Sequence, residues 1–259
     1  MVPTRLQLPE RPPKPRARGI TAVIDNGMPV GLFRDYIEAN GELIDFVKFG
    51  WGTPLVTPKL GDKIALLDEL GIPFFFGGTL FEKYLSRGAF DDFRAFCLAQ
   101  GCRYVEVSNG TIDLANDEKA RYVEKLAADF QVMSEVGMKD AARSEAMGPE
   151  DWVRAVRQDF DAGAAFVVAE ARESGRSGIC HPDGGIRQEL VEAILDAGIE
   201  ADRLVFEAPT KDLQTWFIRR LGTNVNLANI APADVIALET LRLGLRSDTL
   251  LAWDQPVEG

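Results

Sequence analysis

Histidine is nearly absent from this chain. His181, in the segment ICHPDGG, is the single one in 259 residues. That excludes a metal cage built on imidazoles and leaves a Ser-His-Asp triad one route, through this loop residue. No Gly-x-Ser-x-Gly elbow accompanies it, so hydrolase chemistry is disfavoured. Cysteine is scarce too. Cys97, Cys102 and Cys180 are odd in number and lack metal-ligand spacing, so they point to buried thiols in a reducing compartment. No segment offers the roughly 18 apolar residues of a membrane span, and the N-terminus has no apolar signal core. A soluble cytoplasmic protein without a membrane role is the expectation. Positive charge is also short: 29 Lys and Arg face 40 Asp and Glu, for a net charge of −11. This argues against nucleic acid as a partner and requires any anionic substrate to meet a local positive site. Neither Gly-x-Gly-x-x-Gly nor Gly-x4-Gly-Lys-Ser/Thr occurs, so nothing favours a nucleotide.

What the chain does have is alternation. Short apolar runs rich in β-formers fall at 20–25 (ITAVID), 44–50 (IDFVKFG), 72–78 (IPFFFGG), 103–110 (RYVEVSNG), 131–137 (QVMSEVG), 166–172 (FVVAEAR), 203–209 (RLVFEAP) and 224–230 (NVNLANI). Amphipathic helical patterns lie between them, several ending on Gly. About eight strand–helix units in a chain without linker composition predict one α/β domain, a (β/α)8 TIM barrel spanning 19–259. Residues 1–18, rich in Pro and basic side chains, read as an extended arm: a subunit clasp, a lid or a mobile tail. Two longer loops, 138–149 and 174–185, are expected over the barrel mouth.

The strand ends are polar throughout: Asp25, Lys48, Thr79, Glu106, Glu135, Glu170 with Arg172, Glu207, and Asn226 with Asn229. In a parallel barrel these ends form the mouth, where chemistry takes place. Glu135, Glu170 and Glu207 end three consecutive strands and suit a divalent cation that stabilises an enolate-type charge. Lys48 ends a buried strand and needs a partner, either a substrate anion or a neighbouring acid such as Asp25. Arg172 shares strand parity with Glu170 and suits a carboxylate or phosphate, or an ion pair with Glu170 or Glu207. The Gly-rich stretches GWGT, FGGT and ESGRSG allow close backbone approach to an anion, or are simple turns. Lys139, four residues past Glu135, is either a proton-transfer group or a solvated loop lysine.

At this point the segments resemble those of the phosphosulfolactate synthase family: GITAVIDNGMP, LIDFVKFGWGT, FFGGTLFE, YVEVSNGTIDL, SEVGMK, FDAGAAFVVAEARESG, VFEAP and VNLANIAPADVIALETLRLGLRSDT, in the family's order and over nearly the whole chain after the arm. The resemblance implies a single barrel, a homo-oligomer such as a trimer, and Mg2+-assisted addition of sulfite to C3 of phosphoenolpyruvate through an ene-diolate. It implies Lys139 as the acid that protonates C2. Glu135, Glu170 and Glu207 are then the metal candidates, and Lys48, Arg172, Ser174 and Asn229 the groups gripping phosphate and carboxylate. The family pattern carries a lysine where this chain has Asn26, and another where it has Met138. One charge at 4 Å is worth roughly 4 kcal/mol at an effective dielectric of about 20. Sulfite, a different nucleophile on phosphoenolpyruvate (less charged or larger), and a non-catalytic barrel akin to plant heat-stress-associated proteins therefore all stand as readings of the sequence.

Overall fold

The computed structural model describes residues 6–171, 177–181 and 183–253. Arg172 and Ser174 lie outside these residues. Eight parallel strands are present: β1 (Thr21–Asp25), β2 (Phe46–Phe49), β3 (Phe74–Phe76), β4 (Tyr104–Val107), β5 (Gln131–Val136), β6 (Phe166–Ala169), β7 (Leu204–Glu207) and β8 (Leu227–Ile230). The helices are α1 (Val30–Asn40), α2 (Leu60–Glu69), α3 (Gly78–Leu85), α4 (Phe90–Ala99), α5 (Asn116–Ala127), α6 (Ala141–Ala146), α7 (Pro149–Asp161), α8 (Gln188–Asp196), α9 (Lys211–Leu221) and α10 (Val235–Arg242). The ladder runs β3-β2-β1-β8-β7-β6-β5-β4, a nearly closed TIM barrel. Between β3 and β4 the seam is bridged by a side chain: Gly78 N–H donates to Glu106 Oε2 at 2.6 Å.

Strand parity builds the interior in two tiers. Ile20, Ala22, Phe46, Phe75, Met133, Val168, Val205 and Ala228 form a buried apolar cluster of their own, separate from the core beneath the helices. Phe46 lies at its middle, with ring centroids 6.4 Å from Phe75, 4.9 Å from Tyr104 and 6.2 Å from Phe166. Side chains two residues apart on a strand share a face. Two residues beyond Phe46, Tyr104, Met133, Val168 and Val205 therefore come Lys48, Glu106, Glu135, Glu170 and Glu207. The polar tier rests directly on the apolar plug.

The helices form for ordinary reasons. In α7, Pro149 starts the helix, Glu150 and Asp151 complement its positive end, and Trp152, Ala155, Val156 and Asp159 make the inner face. Asp159 belongs to a buried network. Lys119 of α5, 0% exposed, donates to Asp159 Oδ2 (2.7 Å) and to the Glu135 carbonyl (2.7 Å), and Ser134 Oγ donates to the same Asp159 oxygen (2.7 Å). The end of β5 is thereby tied to two helices. On β1, Asp25 pairs with Lys63 of α2 and accepts from the N–H groups of Gly27 and Met28. Asp25 is thus held behind the strand and is not the partner of Lys48. Asn226 also departs from the mouth. It binds the Ile20 N–H and the carbonyls of Asp202 and Leu204, at the start of the strands.

The described part of the arm is neither a loose tail nor a lid over the mouth. From Leu6 onward it crosses the opposite end of the barrel. Arg11 pairs with Glu239 (2.9 Å), Lys14 donates to the Gly41 and Ile44 carbonyls (2.8 and 2.7 Å), and Arg16 pairs with Asp45 (3.1 Å). The loop expected over 138–149 contains α6. Its Ser144 accepts from Gly178 N–H at 2.9 Å, and Arg187 donates to the Ser144 and Met147 carbonyls (2.9 and 2.8 Å). The loops after β5 and β6 are therefore held together. No described helix is long and apolar enough to cross a membrane.

Removing one partner of a buried ion pair strands the other charge. Lys119→Met is expected to lower unfolding free energy by about 3–5 kcal/mol in urea titration; a loss below ~1 kcal/mol would show that the network is not a tie.

Candidate active site

A cavity of about 590 Å3 opens at the C-terminal ends of the strands. It is lined by Lys48, Glu106, Glu135, Lys139, Glu170, Glu207 and Asn229, together with Trp51, Thr79 and the Gly77–Gly78 turn. All four carboxylates are nearly inaccessible, at 1–3% exposure. Lys48 Nζ stands 2.9 Å from Glu106 Oε2, 3.2 Å from Glu207 Oε1 and 3.9 Å from Glu135 Oε2. Its partners are thus acids of the mouth, chiefly one that the sequence left without a role. Lys139 Nζ lies 3.4 Å from Glu135 Oε1 and 4.0 Å from Glu170 Oε2, and donates to Thr79 Oγ1 at 3.3 Å. Lys139 is therefore no solvated loop lysine.

Glu135, Glu170 and Glu207 each present an oxygen within 4.8 Å of the others. Glu135 Oε1 and Glu170 Oε2 are buried without a hydrogen-bond partner. Four carboxylates against two ammonium groups leave the described lining two charges negative. Buried acids that are orphaned, converging and in charge excess fit a divalent cation. Without one, protons must serve. Burial, with Glu135 and Glu207 adding to it, pushes the Glu170 carboxyl well above its ordinary range. Glu207 is raised to about 7, by burial against the pull of Lys48 and with Glu135 and Glu106 adding. Burial would raise Glu135 as well, but Lys139, a hydrogen bond with Glu170 and Lys48 take it down to about 2. Burial works against the charge on Lys139, yet Glu135, Glu170 and Glu82 outweigh it and keep the ammonium firmly protonated.

Glycines let these groups approach. A Cβ on Gly137, whose φ is +136°, would stand 2.6 Å from Glu170 Cβ. One on Gly78 would meet Ser108 Oγ at 2.5 Å. The FGGT turn does not hold out all its N–H groups to a ligand, because that of Gly78 belongs to Glu106. Asn229 reaches the mouth through a bulge. One residue of β1, between Thr21 and Val23, faces two of β8, between Leu227 and Ile230, and Asn229 takes φ +57°. Strict alternation would have turned it outward.

Comparison with known proteins agrees with this architecture. The profile of the family described as (2R)-phospho-3-sulfolactate synthase (ComA) matches residues 9–248. The chain belongs to the phosphosulfolactate synthase family. It is 51% identical to the phosphosulfolactate synthase of Bacillus subtilis over 94% of this chain and 97% of that one. It is 42% identical to that of Methanothermobacter thermautotrophicus over 93% and 95%. A crystal structure of 3-hexulose-6-phosphate synthase shares the fold at a TM-score of 0.55 and 17% identity, over 86% of this chain and 99% of that one. The chain is accordingly an enzyme of the phosphosulfolactate synthase family. Neither departure from the family pattern lines the cavity. Asn26 borders a separate groove with Met28, Thr53 and Lys59, and Met138 is half-buried outside the lining.

Glu106 and Thr79 were legible as polar strand ends at the mouth but received no role of their own; Glu106 carried the stronger signal, since it follows Tyr104 by the same two-residue step that leads from Met133 to Glu135. Trp51 carried no signal beyond its neighbourhood to glycine.

Gly137→Ala is expected to displace Glu170 and to cut turnover by about 100-fold, the scale of an ångström-level misplacement. Gly198→Ala is the control, because its φ is +72° but its Cβ would meet nothing within 4 Å. Equal losses in the two variants would trace the effect to backbone strain rather than to Glu170.

Proposed function

We propose that this enzyme adds sulfite to C3 of phosphoenolpyruvate and forms (2R)-phospho-3-sulfolactate. The observation that carries the reading is the meeting of three converging carboxylates, two of them with an oxygen left without a hydrogen-bond partner, with the Lys139 ammonium in one cavity of a family member. Glu135, Glu170 and Glu207 would hold Mg2+, which supplies electrostatic relief for the charge pushed onto the substrate carboxylate. The sulfur lone pair forms the S–C3 bond. The C2–C3 π pair moves onto C2 and into the carboxylate, giving an ene-diolate. The Lys139 ammonium then delivers its proton to C2, and water returns one to the amine. The phosphate ester is untouched throughout. Lys48 is clamped by Glu106 and Glu207 and keeps fixed positive charge beneath the reacting carbons. Thr79 Oγ1 accepts from Lys139 and restrains its ammonium.

The phosphorus spectrum of the protein with phosphoenolpyruvate, Mg2+ and sulfite tests this. A new phosphate ester should appear only when all three are present. Lys139→Ala should abolish it while phosphoenolpyruvate still binds. Binding without conversion in the parent protein would point to another nucleophile, and absence of binding to a barrel that has lost catalysis.

Metal binding should be pH-dependent. Burial raises Glu207 to about 7 and pushes Glu170 well above its ordinary range, so as pH falls through the Glu207 value a cation must displace protons. Mg2+ affinity should therefore rise by at least about tenfold from pH 6 to pH 8, with proton release detectable by calorimetry in buffers of different ionisation enthalpy. A flat profile would remove these acids from the metal site.

A further inference from the structure

The cavity is polarised around its rim. Going round the barrel, β4, β5, β6 and β7 contribute Glu106, Glu135, Glu170 and Glu207, whereas β8, β1, β2 and β3 contribute Asn229, Ile24, Trp51 with Lys48, and the Gly77–Thr79 turn. One arc is acidic, and the other carries no carboxylate among the described lining residues.

The acid-free arc holds unused donors. Asn229 is 8% exposed, and its Oδ1 is buried without a hydrogen-bond partner. An amide group can present either end at that place, since its O and N positions are assigned by the surrounding bonds. The Trp51 N–H also finds no partner among the described residues. A Cβ on Gly77 would crowd it at 2.9 Å, so the glycine keeps that side of the N–H clear. At the start of α3, Gly78 N–H serves Glu106 and Leu80 N–H serves the Gly77 carbonyl, while Thr79 N–H has no partner among the described residues. Trp51, with φ +49°, and Asn229 are the two described non-glycine residues with positive φ, and both line this cavity.

From this arrangement we infer that the phosphate group of the substrate sits on the β8–β3 arc, held by the Asn229 amide and the N–H groups of Trp51 and Thr79, with the carboxylate end turned toward Glu135, Glu170 and Glu207. The inference rests on the reading of phosphoenolpyruvate as substrate and gives that substrate an orientation. A phosphate dianion placed among four carboxylates would be repelled. On the opposite arc it meets neutral N–H donors whose hydrogen bonds are otherwise unmade, beside the buried Asn229 amide. The Lys48 side chain passes along this arc, its Cε 3.3 Å from where a Gly77 Cβ would be. Its ammonium therefore lies between the two ends of the substrate.

Asn229→Asp tests the orientation, because Asp keeps the shape and tolerates the left-handed backbone while replacing the donor by a charge. Calorimetry would measure three probes: inorganic phosphate, phosphoenolpyruvate, and oxalate with Mg2+ as a mimic of the carboxylate end. Phosphate and phosphoenolpyruvate should bind about tenfold more weakly or worse, and oxalate within about threefold of the parent. Asn229→Gly keeps the backbone at ease and removes the amide; it should lose phosphate affinity to a smaller degree. Unchanged phosphate affinity in both variants, or an equal loss for oxalate, overturns the inference, as does a parent protein that binds no phosphate. A parent protein that binds phosphate with the expected losses but forms no sulfite adduct keeps the cradle and refutes the proposed reaction.

Discussion

The structure depends on keeping a tier of ionised groups out of water at the mouth of a barrel whose interior is otherwise apolar. Two carboxylates about 4 Å apart repel by roughly 4 kcal/mol at an effective dielectric of about 20. Four of them, with Lys48 and Lys139 as the described counter-charges, make a site that protons or a cation must complete. The raised Glu170 and Glu207 and the depressed Glu135 are three outcomes of one competition between burial and neighbouring charge.

The surroundings of that tier exist to hold it. Below it, the Phe46 cluster fills the barrel and leaves the polar side chains no way down. Behind β5, Lys119 and Asp159 fix the strand that carries Glu135. Behind β1, Lys63 occupies Asp25 and keeps a further carboxylate out of the mouth. At the far end of the barrel the chemistry is reversed. Basic side chains of the arm, and Arg242 at 0% exposure, satisfy carbonyls and acids at the strand starts.

Backbone conformation supplies what side-chain chemistry does not. Gly137 lets the end of β5 approach Glu170, and Gly78 lets the start of α3 approach Ser108 and Glu106. Asn229 and Trp51 accept an uncommon left-handed backbone where they line the cavity.

The sequence by itself determined the barrel, because eight β-rich runs separated by amphipathic helices bury well only in that arrangement. It also determined the acid triad, because a carboxylate at the end of each of three successive parallel strands must arrive at one mouth, whereas spacing alone left Lys139 open and the tertiary structure turned it to Glu135. Family membership was legible too, in segments such as SEVGMK and VFEAP. Which charge meets which was decided by tertiary structure. Lys48 turned to Glu106 rather than Asp25, since strand parity points Lys48 inward and a buried Lys63, spaced like an ordinary helix residue, claims Asp25 first. The arm's place under the barrel likewise depends on acceptors at residues 41–45, 224 and 239, which come together only when the sheet closes. Asn226 and Asn229 look alike in a strand-end motif, and only the bulge in β8 sends one to the floor and the other to the mouth. Local pattern fixes the direction of a side chain along its own strand, whereas pairing, bulges and the order in which buried charges find partners are settled between strands.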